Sequence, residues 1–549
     1  MKRISFTLLL AGALLVSCGK ENTGTTGAGT EGGGTTVPSE WTISGTVSGD
    51  DGALLEGVVI SDGVNCVKTD SKGKYYLPTN LSTAEYVFVS TPSGYAAPVE
   101  DGHAIFWKFL KDCTKGADGK YDIPFSLKKI ANPERYTVFI FADPQPRKST
   151  AGVEKIAYES LTLCDDMYRD MKELAETIKD RPIYGIGLGD IVHQDLTLLP
   201  KYRTGMATTG ISTYNVIGNH DQGHVLMADD QASKAYEAIM GPANFSFNLG
   251  GMHYLMLDNM IAPDPSTGKY SDECATGLTD AIWEWAKKDL AMVPTTTPLM
   301  VCAHSPMIRG ISGERSGDHL ADLRAILKKF PKAFVWAGHT HSTYNYAPAG
   351  DVIEAHTVSR VTGELWANEF LGANGTPRGY IVFEYDNGSI SWKFKPLYYQ
   401  TGVFKGAKEP SYEFRDWNFE NGRAVMKATG KPLDDTYQMQ LFAPGLYEPQ
   451  YLYANIFLWD EQWKTPILTV DGNITTMKRV NTSGFQFSYS DWDLTAFYME
   501  NNSFLATNWS EDRNNCVSIF RGFTDKEHGT GTVSVKDRFG NTHTSTITW

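Results

Sequence analysis

Residues 214–221 read Tyr214-Asn215-Val216-Ile217-Gly218-Asn219-His220-Asp221. A short β-rich run ends at a glycine and passes at once into an amide, an imidazole and a carboxylate. The same form recurs on both sides. Thr137–Ala142 runs into Asp143 in F-A-D-P-Q, and Ile183–Gly189 runs into Asp190 in G-L-G-D-I-V-H. Leu299–Ala303 is followed by His304 in C-A-H-S-P, and Phe334–Ala337 by His339 and His341 in W-A-G-H-T-H. Between these runs, residues 151–180 carry Ile156, Leu161, Leu163, Met167 and Leu174 at helical spacing. Further helices are predicted over Thr279–Met292 and around 318–330, and Met252–Leu257 is one more strand. Strands alternating with helices predict layered α and β structure. Residues just past the carboxyl ends of strands then converge on one rim, where ligands bind. Gly189, Gly218 and Gly338 beside the candidate ligands allow tight turns and close backbone approach.

The set on that rim holds two carboxylates, an amide and several imidazoles. A mixed nitrogen and oxygen set suits borderline ions such as Zn, Fe, Mn or Co better than Ca. It is large enough for two ions sharing a carboxylate, an arrangement that neutralises a phosphoryl group and generates a hydroxide.

In order along the chain, D-x-x, G-D, G-N-H-D, H and G-H-x-H resemble the motifs of the calcineurin-like metallophosphoesterase superfamily, over about residues 135–398. The resemblance implies an α/β central domain, a layered β-sandwich flanked by helices, and two metals of the divalent or di/trivalent kind. It implies that Asp143 and His341 bind one ion, that Asn219, His304 and His339 bind the second, and that Asp190 bridges both. A metal-bridging hydroxide would attack phosphorus, with His220 stabilising the transition state or protonating the leaving oxygen. The family's first motif is usually D-x-H, and this chain has Gln145 at the histidine position. Either Gln145 coordinates or orients a water ligand, making a harder site that favours Mn, Mg or Fe(II), or that site is weak. The wider resemblance is to three-part bacterial proteins with a G-T-P-x-G-Y stretch, here Gly375–Tyr380, preceded by a Trp. It makes Trp366 and Arg378 candidate substrate contacts. Arg309, five residues past His304, is a third candidate, for a phosphate oxygen. His193 and His224 follow ligand motifs closely enough to support them. His253, inside a strand, reads as structural, and His356 is near the site in sequence only.

Outward from this core, residues 41–130 alternate with period two in W-T-I-S-G-T-V-S and turn at D-D-G. They resemble prealbumin-like β-sandwich modules and read as a spacer. Residues 399–549 lose helical periodicity and read as a second β-sandwich. The phosphoesterase then occupies 131–398.

The N-terminus has Lys2 and Arg3, then an apolar run of 13 residues from Ile4 to Val16, then Ser17-Cys18. That run has the length of a signal sequence and is too short to span a bilayer. L-V-S-C resembles the lipobox of bacterial lipoproteins. It implies removal of residues 1–17, lipidation of Cys18 and an exported, outer-membrane-anchored protein. Residues 18–40 are then a Gly/Thr-rich tether whose r.m.s. reach is roughly 25 Å. Lipidation of Cys18 leaves six of the seven Cys. Cys66 and Cys113 could pair, whereas Cys164 and Cys302 read as buried thiols.

The composition excludes other classes. Hydrophobic residues at 41% and aromatics at 12% are too many for a disordered chain. The formal net charge is −14, and −16 once Lys2 and Arg3 are removed, so long nucleic acids are disfavoured partners. The expected substrate is a phosphorylated small molecule, sugar or lipid, as a monoester or a diester. The competing reading is a surface lipoprotein that binds glycan or phosphoglycan on a degenerate phosphoesterase scaffold.

Overall fold

The computed structural model describes residues 40–150, 154–308, 315–363, 376–397, 399–400, 409–410, 412–420, 423–432, 435–444, 449–480 and 518–549. The leader, Cys18, the tether, Arg309 and Trp366 lie outside the described residues.

The centre is a sandwich of two mixed sheets. The first is seven-stranded, in the order 389–396, 379–386, 135–141, 183–187, 212–215, 103–104, 99–100. Strands Arg135–Phe141, Ile183–Gly187 and Ser212–Asn215 run parallel, and Gly379–Asp386 pairs antiparallel to the first of them. The second sheet is six-stranded, in the order 245–249, 252–257, 299–303, 333–337, 353–357, 344–346. Met252–Leu257, Leu299–Ala303, Ala333–Ala337 and Ile353–Thr357 run parallel within it. Parallel strands buried on both faces need near-continuous apolar sequence, and M-H-Y-L-M-L, L-M-V-C-A and A-F-V-W-A are buried along their whole length. The inner faces meet through aromatic rings. Tyr214 stacks on Phe247 at 3.8 Å, and Tyr136 Oη lies 3.0 Å from Tyr254 Oη. Helices cover the outside. Glu154–Thr177 packs through Leu163, Met167 and Met171 on the cluster holding Phe139 and Phe141, and Asp280–Ala291 buries Trp285, whose Nε1 donates to Ser61 Oγ of the N-terminal domain at 3.0 Å. The expected layered core flanked by helices, with a β domain on either side, is the observed fold.

Residues 41–130 form two facing sheets, but their 99–104 hairpin leaves the module. His103 pairs with Thr213, so the N-terminal domain supplies the last two strands of the central sheet. Burial pushes the His103 imidazole down to about 4, and its Nε2 meets Asn215 Nδ2 at 2.9 Å. The neutral ring can accept that amide hydrogen. Cys66 and Cys113 are both free thiols, so the considered disulfide is absent. Cys66 Sγ instead faces Ser61 Oγ at 3.7 Å. Cys164 and Cys302 are buried. Among the described residues no helix is long and apolar enough to cross a membrane.

The C-terminal domain has two four-stranded sheets. It is joined to the core through a buried charge cluster. Arg538 of that domain grips Glu354 bidentately, at 2.6 and 2.8 Å, and reaches Asp460 at 3.3 Å. Lys332 also pairs with Glu354. Burial alone would raise the Glu354 carboxyl, yet His356, Arg538 and Lys332 together hold it far below its ordinary value. Glu354 is fully buried, so removing it takes a carboxylate from both Lys332 and Arg538 and leaves Arg538 on Asp460. Glu354→Ala is expected to destabilise the protein by about 3 kcal/mol. Chemical denaturation, followed by tryptophan fluorescence, checks this, because Trp392 lies under the Arg538 guanidinium.

Candidate metal centre

Five loops bring the candidate ligands to one rim, three from the first sheet and two from the second. Neighbouring loops of each sheet are tied together by main-chain contacts. Asp143 N donates to Gly189 O at 3.2 Å, Gln145 N to Asp190 O at 3.1 Å, and Gly338 N to His304 O at 2.9 Å. These turns are strained. Asp143, Gln145, Asp190, His339 and His341 all have positive φ, between 42° and 66°. Non-glycine residues avoid that region, and a cluster of them marks a backbone held for function.

Asp143, Asp190 and His341 form one group able to hold a cation, and Asp190, His304 and His339 form another. Asp190 belongs to both. His304 Nδ1 donates to Leu188 O at 2.7 Å, which turns Nε2 inward. That Nε2 lies 3.2 Å from Asn219 Oδ1, 3.3 Å from Asp190 Oδ1 and 3.2 Å from His339 Nδ1. His341 Nε2 lies 3.4 Å from Asp143 Oδ1. Gln145 Nε2 donates to Asp190 Oδ2 at 2.6 Å, and among the described residues its buried Oε1 has no hydrogen-bond partner and Asp143 Oδ1 accepts no hydrogen bond.

Charges within the cluster report the same need for a cation. Burial opposes a charge on His304, but Asp190 and Asp143 push it up to about 10. Burial would raise Asp190, whereas His304 and His220 hold it well below the usual carboxylate range. His339 is driven well down by burial and by charged His304 next to it. One proton thus stands among groups arranged for more positive charge, and metal binding would release it. The donor set fits two ions with Asp190 shared.

The three glycines are explained by contact. A Cβ on Gly218 would sit 2.2 Å from both Asp190 N and Asp190 Oδ1; on Gly338 it would sit 2.5 Å from Asp143 Oδ2, and on Gly189 2.6 Å from His304 Nδ1. The Gly218 contact is with backbone and cannot be relieved by a rotamer change. Gly218→Ala is expected to displace Asp190 and weaken metal affinity by about 10–100-fold, as loss of a ligand's support does. Titration with Mn or Zn under competing chelator measures it.

Several supporting groups carried no sequence signal or an unread one. Asp221 accepts from Ile191 N, Val192 N and Gly218 N at 2.8–3.0 Å, clamping the Asp190 loop to the Asn219 loop. It stands inside the quoted motif, where its spacing already placed it at the turn. Arg360, fully buried, donates through Nε to Asp143 O at 3.3 Å and to Thr362 Oγ1 at 3.0 Å, bracing the strained D-P-Q loop. Asp272 comes from a distant loop. Its carboxylate accepts from Gln194 Nε2, meets His224 Nδ1 at 2.8 Å and lies 3.8 Å from His220 Nδ1. Its carbonyl accepts from Asn219 Nδ2 at 3.1 Å.

The remaining sequence candidates sort as follows. His220 N donates to Asp190 Oδ1 at 2.9 Å, and its side chain is 23% exposed, open to a substrate. The His193 ring lies 4.3 Å from the His220 ring. His253 is buried between Asn248 and Asp289, each at 2.9 Å, and is structural. His356 lies in the charge cluster under the C-terminal domain. Arg378 stands just before strand Gly379–Asp386, next to the ligand-bearing end of strand Arg135–Phe141. Its side chain is buried and paired with Asp166 of helix Glu154–Thr177 at 3.3 Å. Pairing with a buried acid explains how a guanidinium can be taken out of water.

Comparison with known proteins agrees with this architecture. Residues 41–129 match the family described as the N terminal of calcineurin-like phosphoesterase. Residues 136–343 match calcineurin-like phosphoesterase, and 356–543 match its C terminal. The chain is similar to purple acid phosphatase 15 of Arabidopsis thaliana, with 29% identity over 167 residues, covering 26% of this chain and 29% of that protein. It therefore spans under a third of that relative's length. Among solved structures it is similar to purple acid phosphatase PPD1 of yellow lupin (Lupinus luteus), with 11% identity, 64% and 68% of the two chains covered and a TM-score of 0.34. It is also similar to a putative 5'-nucleotidase of Staphylococcus aureus, with 13% identity, 48% and 54% covered and a TM-score of 0.29.

Proposed function

We propose, from the premise that this chain is a metal-dependent phosphoesterase with a calcineurin-like core between N- and C-terminal β domains, that it hydrolyses phosphate esters of small, sugar-linked or lipid-linked alcohols at a dinuclear centre. The observation that carries this reading is the sharing of Asp190 between two donor groups. Asp143, Gln145 and His341 would hold one ion, and Asn219, His304 and His339 the other. Two ions bound there would neutralise charge on the phosphoryl oxygens and acidify a water into a nucleophile.

The chain's own residues do the rest. Gln145 and the His220 amide fix both oxygens of Asp190, so the shared carboxylate is oriented before any ion arrives. The buried Oε1 of Gln145 supplies oxygen where the family usually has nitrogen, which favours Mn or Fe over Zn at that position. Burial lowers the His220 pKa, while Asp190 and Asp272 favour its charged form. Its side chain is open on one side, where a protonated ring would meet the departing oxygen.

Turnover of p-nitrophenyl phosphate and its methyl diester with Mn, Fe, Zn or Co tests the reading, alongside elemental analysis. Two ions per chain and turnover are expected. A chain that takes up no metal and instead binds phosphoglycan would favour the binding-protein reading.

We also read residues 1–18 as a lipoprotein leader ending at an acylated Cys18, which places the enzyme at the outer membrane. Radiolabelled palmitate should enter the protein and be lost in Cys18→Ser. Labelling retained in the variant would refute the anchor.

A further inference from the structure

The described part of the central domain exposes four large apolar side chains, and all four stand in the two loops that carry His220 and Asp272. Val225, Leu226 and Met227 are 38%, 53% and 46% exposed, and Tyr270 is 39% exposed. The other exposed large apolar residues among the described ones, Leu54, Val64, Val99, Ile467, Ile474 and Phe523, belong to the flanking β domains. Scattered single exposures are ordinary, whereas an apolar patch at the edge of a catalytic site points to a ligand.

The patch is held in place. Ser271 N donates to Val225 O at 2.8 Å, and Val225 N donates back to Ser271 Oγ at 3.3 Å. The Tyr270 ring stacks on His224 at 3.8 Å and 20°. His224 in turn meets Asp272, the carboxylate beside His220. The loop that begins with Asn219 and His220 therefore continues into Val225–Met227 and is clasped to the loop carrying Tyr270 and Asp272. Apolar groups are presented to solvent by fixed backbone, on the side of the site where His220 stands.

We infer that Val225, Leu226, Met227 and Tyr270 form an apolar subsite for the leaving group, and that the ester's alcohol carries an aliphatic chain. This rests on the phosphoesterase reading above. In hydrolysis the water oxygen bonds to phosphorus, the bond from phosphorus to the alkoxide oxygen breaks, and the alkoxide takes the proton from His220. The alcohol departs neutral from beside that histidine. An apolar wall there stabilises an alkyl or acyl-bearing alcohol and gives nothing to a sugar or nucleoside. Branched and thioether side chains suit a flexible aliphatic chain, since methionine adapts to irregular contacts.

The test is a series of n-alkyl phosphates from ethyl to octyl, and their methyl diesters, below the micelle concentration. Leaving-group acidity is nearly constant along the series, so only apolar contact changes. We expect kcat/KM to rise by about tenfold or more along the series, the scale of a few methylene contacts in a pocket. In Leu226→Ser/Met227→Ser the slope against chain length should flatten. Both residues are exposed, and the variant's melting temperature and metal content report its fold. A flat series in wild type that turns over p-nitrophenyl phosphate, or an unchanged slope in the variant, overturns the subsite alone. No turnover of any ester with any metal overturns the hydrolytic reading as well. Dioctanoyl phosphatidic acid, offered as monomers and in phosphatidylcholine vesicles, separates the sources of the chain. Preference for monomers supports a soluble ester, and equal or greater activity on vesicles with the chain-length slope retained supports a membrane lipid. Faster vesicle turnover without any chain-length slope means surface contact only and overturns the subsite.

Discussion

Asp190→Ala should lose both metal ions and at least about 10³-fold in kcat/KM, since the two ions supply several kcal/mol of charge stabilisation. Both losses follow from one geometry. Asp190 is the single residue common to the two donor groups. Its Oδ1 accepts from His220 N and its Oδ2 from Gln145 Nε2, which fix both oxygens for that shared place. Removing it also deprives His304 of the charge that raises its pKa. His341→Ala, touching one group only, should cost one ion. Elemental analysis after gel filtration separates the two outcomes, and Asp190→Asn controls for shape. A variant that kept both ions and full turnover would end the shared-ligand assignment.

His220→Ala should lower kcat for alkyl phosphates by about 10²–10⁴-fold, the usual contribution of a positioned general acid. The loss should be much smaller for p-nitrophenyl phosphate, because nitrophenolate leaves without needing a proton. Metal content should stay at two ions, since His220 contributes its backbone N–H rather than its ring to Asp190. The difference between substrates is the informative quantity. An equal loss on both would mean that His220 acts on the phosphoryl group in place of the leaving oxygen.

The loops that end apolar strands were the legible part of this protein. Val216-Ile217-Gly218 before Asn219, and Phe334–Ala337 before His339, announce a strand, a tight turn and a polar group in a handful of residues. A buried parallel strand has to be apolar throughout, so a polar group at its end stands out. The fold class follows from the same alternation. Distant partners carried no such mark. Asp272 sits in a loop without periodicity, and it matters because folding brings it to His224 and His220. Glu354 and Arg538 are 184 residues apart in the chain and form the bond between two domains. The partner of Arg378 was hidden for the same reason, since Asp166 lies 212 residues away on a helix.

By itself, the sequence determined the order of strands and helices, the five ligand-bearing loops and the small residues beside them. Local rules suffice there, because a strand's burial and a turn's glycine depend on near neighbours in the chain. Only the tertiary structure decided that Gln145 turns its amide nitrogen to Asp190 and that the N-terminal hairpin at 99–104 completes the central sheet. Each of these depends on distances of a few ångströms between segments far apart in sequence. Those distances are set by how two sheets pack, which no periodicity in the chain encodes.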